Sequence, residues 1–272
     1  MEERKTLFEE ILSNIAVTEP GGMFARKNGS ESVASYGTIL VYEDKHSFYY
    51  FACRRRTTLE FAEMIKCGPR KAKLYEYLSN MTVRERELLC TRSHEELWHH
   101  LLPETGNLFP GGLEQTGIIF DYYYNDLPRL MNLTRSEVVE PPYEFPKGRP
   151  AQSDPSFLAT ALRELQEETG LKIGKSVTLA IDNPITDEYV GSDGVKYVTH
   201  YFVIQVEEIF QPEVLYFENF NLFGEYYISE DMSDYEWIPI RKKFVNSEQT
   251  TNLVPRLETV LFSIHALLCE SP

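Results

Sequence analysis

The spacing of hydrophobic and polar positions changes several times along this chain. In residues 2–15, Leu7, Phe8, Ile11, Leu12 and Ile15 recur at helical spacing and predict a helix with one apolar face. A stretch bearing Gly21, Gly22, Asn28, Gly29 and Ser30 reads as loop. Two β-like runs follow, Ser35–Tyr42 and Ser47–Cys53, and the polar Glu43-Asp44-Lys45-His46 between them predicts a hairpin. From Thr57 the period becomes helical, over Thr57–Lys66, Arg70–Met81, Thr82–Cys90 and His94–Leu102. Thr82 with Glu85 has the spacing of a capping box, and Ser93 suits an N-cap. Pro103–Gly117 is expected to be loop, and a further helix is expected after Pro128. Strand patterning resumes around Tyr143-Glu144-Phe145, Val177–Ile181, Lys196–Val206 and Tyr235–Ile240, with Gly191-Ser192-Asp193-Gly194 as a hairpin turn. Val254–Leu268 predicts a last helix with Pro255 at its start.

Composition narrows the class. The chain has 272 residues, of which 42% are hydrophobic and 25% charged, which is ordinary globular usage and excludes collagen, coiled coil and wholesale disorder. No apolar run approaches the roughly 18 residues of a transmembrane helix, and Met-Glu-Glu-Arg-Lys-Thr does not begin a secretory signal, so no membrane partner is expected. Cys53, Cys67, Cys90 and Cys269 show no CxxC spacing, which argues against a zinc knuckle or disulfide framework and for a reducing, cytoplasmic address. His94, His99 and His100 have no further ligands at matching spacing and suggest no metal set.

Charge adds a statement about partners. The net charge of −15 counts against a passive nucleic-acid binder. Locally, however, Arg54, Arg55, Arg56, Lys66, Arg70, Lys71 and Lys73 face only Glu60 and Glu63, a surplus of +5. Glu207–Ile238 carries nine acids and no Lys or Arg. Solvated faces would explain both segments; a basic track for an anionic polymer would explain the first.

Chemistry concentrates in Glu144–Leu171, EFPKGRPAQSDPSFLATALRELQEETGL. Asp154-Pro155 reads as a helix start, and Phe157, Leu158, Ala161, Leu162 and Leu165 form an apolar stripe. Glu164, Glu167 and Glu168, spaced i, i+3, i+4, lie on one arc of that helix, where like charges repel by a few tenths of a kcal/mol per pair. Carboxylates at this spacing suit Mg²⁺ or Mn²⁺ together with substrate phosphates, although an acidic solvated face would share the pattern. Gly170 ends the helix.

The run Arg163-Glu164-Leu165-Gln166-Glu167-Glu168-Thr169-Gly170-Leu171, with Gly148 upstream, matches R-E-U-x-E-E-x-G-U, where U is aliphatic. It resembles the Nudix box of hydrolases that cleave a nucleoside diphosphate linked to another group. The resemblance implies Glu164 and Glu168 as metal ligands, Glu167 as a further ligand or activator of water, Arg163 as the residue orienting the glutamates, and Lys147 and Gly148 in a loop facing the phosphates. Divalent ions would then bridge the pyrophosphate oxygens. One departure stands out. The family places a glutamate six residues after the glycine and eight before the arginine; here those counts reach Asp154 and Pro155, because the spacing is one residue longer. Asp154 is therefore either a partial substitute or a helix cap. For the extra carboxylate that Nudix folds often recruit before a late strand, Glu230 and Asp231 are the candidates.

Beyond the box, the order of elements is similar to that of the Nudix decapping enzymes of large cytoplasmic DNA viruses, which insert a helical domain after the first hairpin. Arg55-Arg56-Thr57-Thr58-Leu59-Glu60-Phe61, the run Asn80–Arg86 with Trp98 downstream, and Glu144-Phe145-Pro146-Lys147-Gly148 carry this narrower resemblance. It implies an α/β fold, a Nudix-type α/β/α sandwich with a mixed sheet, formed by residues 1–56 and 140–272 with the box at 148–171. A mostly α-helical insertion at 57–139 would be the RNA-binding lobe. The implied substrate is capped mRNA, cut to m7GDP and 5′-monophosphate RNA. The basic residues from Arg54 to Lys73 would track phosphates, and Phe61, Tyr197 and Tyr201 are candidates to stack on the cap guanine. Hydrolysis of diphosphoinositol or dinucleoside polyphosphates, and a non-catalytic binding module, are the alternatives; oligomeric state is not legible.

Overall fold

The computed structural model describes residues 2–14, 32–101, 112–173, 177–191, 195–210, 232–242 and 252–270. In chain order the elements are helix α1 (Glu2–Asn14), strands β1 (Val33–Glu43) and β2 (Ser47–Arg55), and helices α2 (Leu59–Cys67), α3 (Leu74–Asn80), α4 (Val83–Thr91), α5 (His94–Leu101), α6 (Gly112–Tyr124) and α7 (Leu127–Leu133). Strands β3 (Tyr143–Glu144) and β4 (Lys147–Gly148), helix α8 (Phe157–Thr169), strands β5 (Thr178–Leu179), β6 (Ile185–Val190), β7 (Lys196–Val206) and β8 (Met232–Arg241), and helix α9 (Pro255–Glu270) complete the set. Among the described residues, 2–14 and 57–141 form one compact unit, and 32–56 with those from 142 onward form the other. No helix among them is long and apolar enough to cross a membrane.

The helical unit closes around Phe61, Met64, Leu78, Leu89, Trp98, Phe120 and Leu130. Phe8, Ile11 and Leu12 of α1 belong to this core, so the first helix is part of the helical unit and not, as the order of elements implied, of the sheet unit. An apolar stripe specifies burial but not the partner that provides it. A second difference lies at Gly112–Gly117, expected as loop yet helical. A Cβ on Gly117 would stand 3.3 Å from His94 Nδ1, so the missing side chain is what admits the His94 ring against α6. The capping box at Thr82 and Glu85 forms, and Glu85 reaches further: its carboxylate also accepts from Thr58 N at 2.7 Å and Thr58 Oγ1 at 2.8 Å. Thr58 is itself the N-cap of α2.

The sheet unit is built on β1, which pairs antiparallel with β2 (Val41 opposite Tyr50) and with β4 (Tyr36 opposite Gly148), and parallel with β7 (Tyr36 opposite His200). The core of the sheet runs β3-β2-β1-β7-β5, with β8 on β2 and β6 on β7. Alternation along β1 gives the sheet two apolar faces. Leu40 packs with Phe51, Ile204 and Leu165 of α8, whereas Ile39 and Val41 pack with Tyr50, Val203 and Leu257, Leu261 and Ile264 of α9. One helix on each face of a mixed sheet makes the α/β/α sandwich. The strand β6 has little hydrophobic alternation; its pairing with β7, Glu188 opposite Val198, draws it into the sheet.

Candidate functional site

Helix α8 does not start as Asp154-Pro155 suggested. Ser156 is the N-cap, its hydroxyl accepting from Ala159 N at 3.1 Å. Asp154 is taken up elsewhere: it accepts from Ala151 N (2.8 Å), Thr160 Oγ1 (3.0 Å) and the Arg163 guanidinium (Nε to Oδ1, 3.1 Å; Nη2 to Oδ2, 3.1 Å). Those bonds, Arg163 first, hold its carboxyl down at about 2. At the other end Gly170 adopts a left-handed conformation (φ 73°), and its N–H closes on Gln166 O at 2.8 Å.

Arg163 is the hub of the box. Besides Asp154, it donates to Arg149 O (2.9 Å), Glu167 Oε2 (2.7 Å) and pairs with Glu164 Oε1 (2.8 Å). Glu167 is thereby turned outward, its side chain 57% exposed. Glu164 points inward, over β4: a Cβ on Gly148 would collide with the Glu164 carboxylate, so only glycine lets that carboxylate lie on the strand. Burial raises its pKa, and Arg163 opposes the rise. One turn on, Glu168 accepts from Lys147 N at 3.1 Å. Burial pushes its carboxyl up to about 8, with the nearby Lys147 opposing and the nearby Glu144 adding to the rise.

Sequence reasoning did not single out Glu144 as a site residue. It is 2% exposed and receives Lys147 Nζ (2.8 Å) and Arg55 Nη1 (3.0 Å). Burial would raise its pKa, but Lys147 and then Arg55 outweigh it and hold the carboxyl at about 2. A buried and a part-buried carboxylate thus share the neighbourhood of two cations, the first with its pKa lowered by direct ion pairs and the second with its pKa raised by desolvation. The motif Glu-Phe-Pro-Lys carried one signal, an acid three residues before a lysine; the partner Arg55 comes through the β2–β3 pairing of Cys53 with Glu144, which spacing along the chain does not reveal.

The three box glutamates do not converge: among the described residues, no three His, Cys, Asp or Glu side chains gather as a preformed metal cage. The residues nevertheless fit a divalent cation in kind. Glu164 lies over Gly148 and Glu168 bonds Lys147 N–H, so both offer oxygen donors from one face of α8 to the same short strand, and burial raises the Glu168 carboxyl to about 8, where a cation would favour its charged form.

Other expectations fare unevenly. Arg54 is 3.6 Å from Asp234 and lies over the Tyr143 ring at 4.4 Å, and Arg55 is bound to Glu144, so these two arginines serve the sheet unit's own ion pairs. Arg56 ends the same segment, half-buried. Lys66, Arg70, Lys71 and Lys73 are half-buried at the end of α2 and around the turn before α3, with Lys73 Nζ 3.0 Å from Glu76. Two of the proposed stacking aromatics are corrected. Phe61 is fully buried in the helical core, and Tyr201 is fully buried on the α9 face of the sheet, away from α8. Tyr197 is half-buried and stacks on Tyr189 at 5.3 Å; its odd position along β7, in step with Tyr201, puts it on that same α9 face. Glu230 and Asp231 lie outside the described residues. Asp234, nearby on β8, accepts from Tyr143 Oη at 2.9 Å.

Compared with known families, residues 128–253 match the NUDIX domain. The chain carries a NUDIX domain. Among curated proteins it is 23% identical over 223 residues to the mRNA-decapping protein g5R of African swine fever virus, covering 74% of this chain and 82% of that one. A second isolate's protein of the same name is 24% identical over 224 residues, covering 75% and 82%. Of solved structures, a C. elegans Ap4A hydrolase overlays 88% of this chain and 99% of its own at 9% identity, with a TM-score of 0.40, too slight a likeness to add to the chemistry. The NUDIX match and the viral relatives support a Nudix pyrophosphohydrolase.

Proposed function

We propose that this chain hydrolyses the pyrophosphate bridge of the 5′ cap of messenger RNA, releasing m7GDP and RNA with a 5′ monophosphate. The observation that carries the reading is the pair of carboxylates, Glu164 and Glu168, that α8 presents to β4, the first in the space Gly148 leaves and the second on Lys147 N–H. The substrate class rests on the viral relatives named for decapping, whose similarity covers 74% of the chain and so exceeds the NUDIX match at 128–253.

Glu164 and Glu168 would hold the divalent ion, Mg²⁺ or Mn²⁺. The chemistry supplied there would be Lewis-acid stabilisation of the phosphate charge and acidification of the attacking water. Arg163 is a positioning residue: Asp154 and Arg149 O fix its guanidinium, which in turn fixes the Glu164 carboxylate. Lys147 holds Glu168 through its backbone N–H and Glu144 through its ammonium, and so sets the spacing of the two acids. In the helical unit, Lys66, Arg70, Lys71 and Lys73 would track RNA phosphates. The likeness to viral decapping proteins supports a cytoplasmic site of action.

The test is product analysis with capped RNA and diphosphoinositol phosphate in parallel, each with Mg²⁺ and Mn²⁺. Wild type is expected to release m7GDP, and Glu168→Gln to release none while keeping its circular dichroism. Turnover of the inositol substrate alone, or full activity in Glu168→Gln, would overturn the reading.

A further inference from the structure

Three aromatic rings that no part of the proposed chemistry uses lie on the sheet face that Glu164 covers. Tyr36 stands opposite Gly148 across the β1–β4 ladder, and directly paired residues project from the same face of a sheet. That face is the one Glu164 occupies, because the Glu164 carboxylate fills the space a Gly148 side chain would take. The Tyr36 ring stacks on Phe157 with centroids 4.2 Å apart and planes 5° from parallel, and on His200 at 5.5 Å and 25°. Thr186 Oγ1, 3.1 Å from His200 Nδ1, steadies the far ring.

The stack is open at one end. Tyr36 is 8% exposed, but Phe157 is 57% exposed, a flat apolar ring held parallel to its neighbour with its remaining surface in water. Phe157 and Glu164 are seven residues apart on α8, two turns and about 10.5 Å along the same side of the helix. Rings that pack for burial alone meet as readily edge to face. A parallel stack whose last ring is exposed is the form that receives another flat ring.

We propose that Phe157, backed by Tyr36 and His200, is a platform on which a nucleobase adjoining the scissile pyrophosphate stacks. The claim rests on the cap-hydrolysis reading for its substrate, and it specifies where one base sits relative to the carboxylates. Two bases flank the bridge, the cap guanine and the first base of the transcript, and both offer the same π face.

Phe157→Ala, Phe157→Leu and Phe157→Tyr are compared with wild type on capped RNA, on capped RNA abasic at its first transcribed position, and on the inositol substrate. Base–aromatic stacking predicts a rise in KM of about tenfold or more for the Ala and Leu variants, little change in kcat, and recovery in Phe157→Tyr. If the abasic RNA raises the wild-type KM and makes it indifferent to Phe157→Ala, the stacked base is the transcript's; if the Ala effect persists there, it is the guanine. In parallel, Phe157→Trp fluorescence is titrated with m7GDP and with an uncapped oligonucleotide and its abasic counterpart. Quenching by m7GDP or by the base-bearing oligonucleotide, and none by the abasic one, is expected. Unchanged KM in both Ala and Leu variants, an equal loss on the inositol substrate, or no quenching would overturn the platform. Absence of m7GDP release by wild type would overturn the cap reading alone, since the quenching does not depend on turnover.

Discussion

Replacing Gly148 by alanine adds a single methyl group, and the structure states what that methyl meets. Gly148 does not have a positive φ, so alanine carries no backbone penalty there. The new Cβ overlaps Cδ, Oε1 and Oε2 of Glu164, the far end of a flexible side chain, which must withdraw by more than about 1 Å to restore ordinary contact. Withdrawal strains, without breaking, the largely covered 2.8 Å pair with Arg163, a loss of about 1 kcal/mol, which for a chain of this size is roughly 2–4 °C in Tm. Misplacing a catalytic group by about 1 Å costs on the order of 100-fold in rate. Gly148→Ala should therefore lose about two orders of magnitude in m7GDP release from cap-labelled RNA while melting within a few degrees of wild type. Glu164→Asp moves the carboxylate back by about one methylene, roughly 1.5 Å, and should cost activity alone yet regain part of it when added to Gly148→Ala, a positive coupling in the double-mutant cycle. Wild-type kcat/KM in Gly148→Ala, or strictly additive losses in the double variant, would refute the reasoning.

Arg163→Lys keeps the charge but not the planar fork that joins Asp154, Arg149 O, Glu164 and Glu167; a 10- to 100-fold loss of activity is expected, checked by kinetics beside a melting curve. Glu144, held at about 2 against an ordinary 4.5, contributes about 3 kcal/mol of stability above the ordinary value that is lost as pH falls through the folded one; urea titrations across that range should show an acid limb that Glu144→Gln flattens. Neutralising Arg70, Lys71 and Lys73 together should weaken RNA binding and reduce the slope of affinity against salt, and unchanged binding at every ionic strength would remove RNA from the helical unit.

Much of this was legible in the sequence because local chemistry dictated it. The first hairpin, the Thr82–Glu85 box, Gly170 as helix stop and the Pro255 helix each rest on residues within a few positions of one another. What was not legible depended on partners distant in the chain. The apolar stripe of α1 specified burial without naming the helical core that supplies it. Asp154 and Ser156 both suit a cap, and the Arg163 guanidinium, nine residues on, decides which of them is free to be one. The aromatics were hardest: Tyr197, Tyr201 and Tyr36 are equivalent by composition, and only the parity of β1 and β7 separates the α9 face from the face carrying the carboxylates.

One carboxylate in the helical unit ties together segments 27 residues apart. Glu85 accepts from the backbone and hydroxyl of Thr58 as well as from Thr82 N, so the first turns of α2 and α4 share an anchor. Neither helix can fray from its beginning without stranding a charge that lies almost entirely out of water. The two should exchange their amide hydrogens in concert, as one foldon, and hand Lys66 at the end of α2 a scaffold that does not loosen independently.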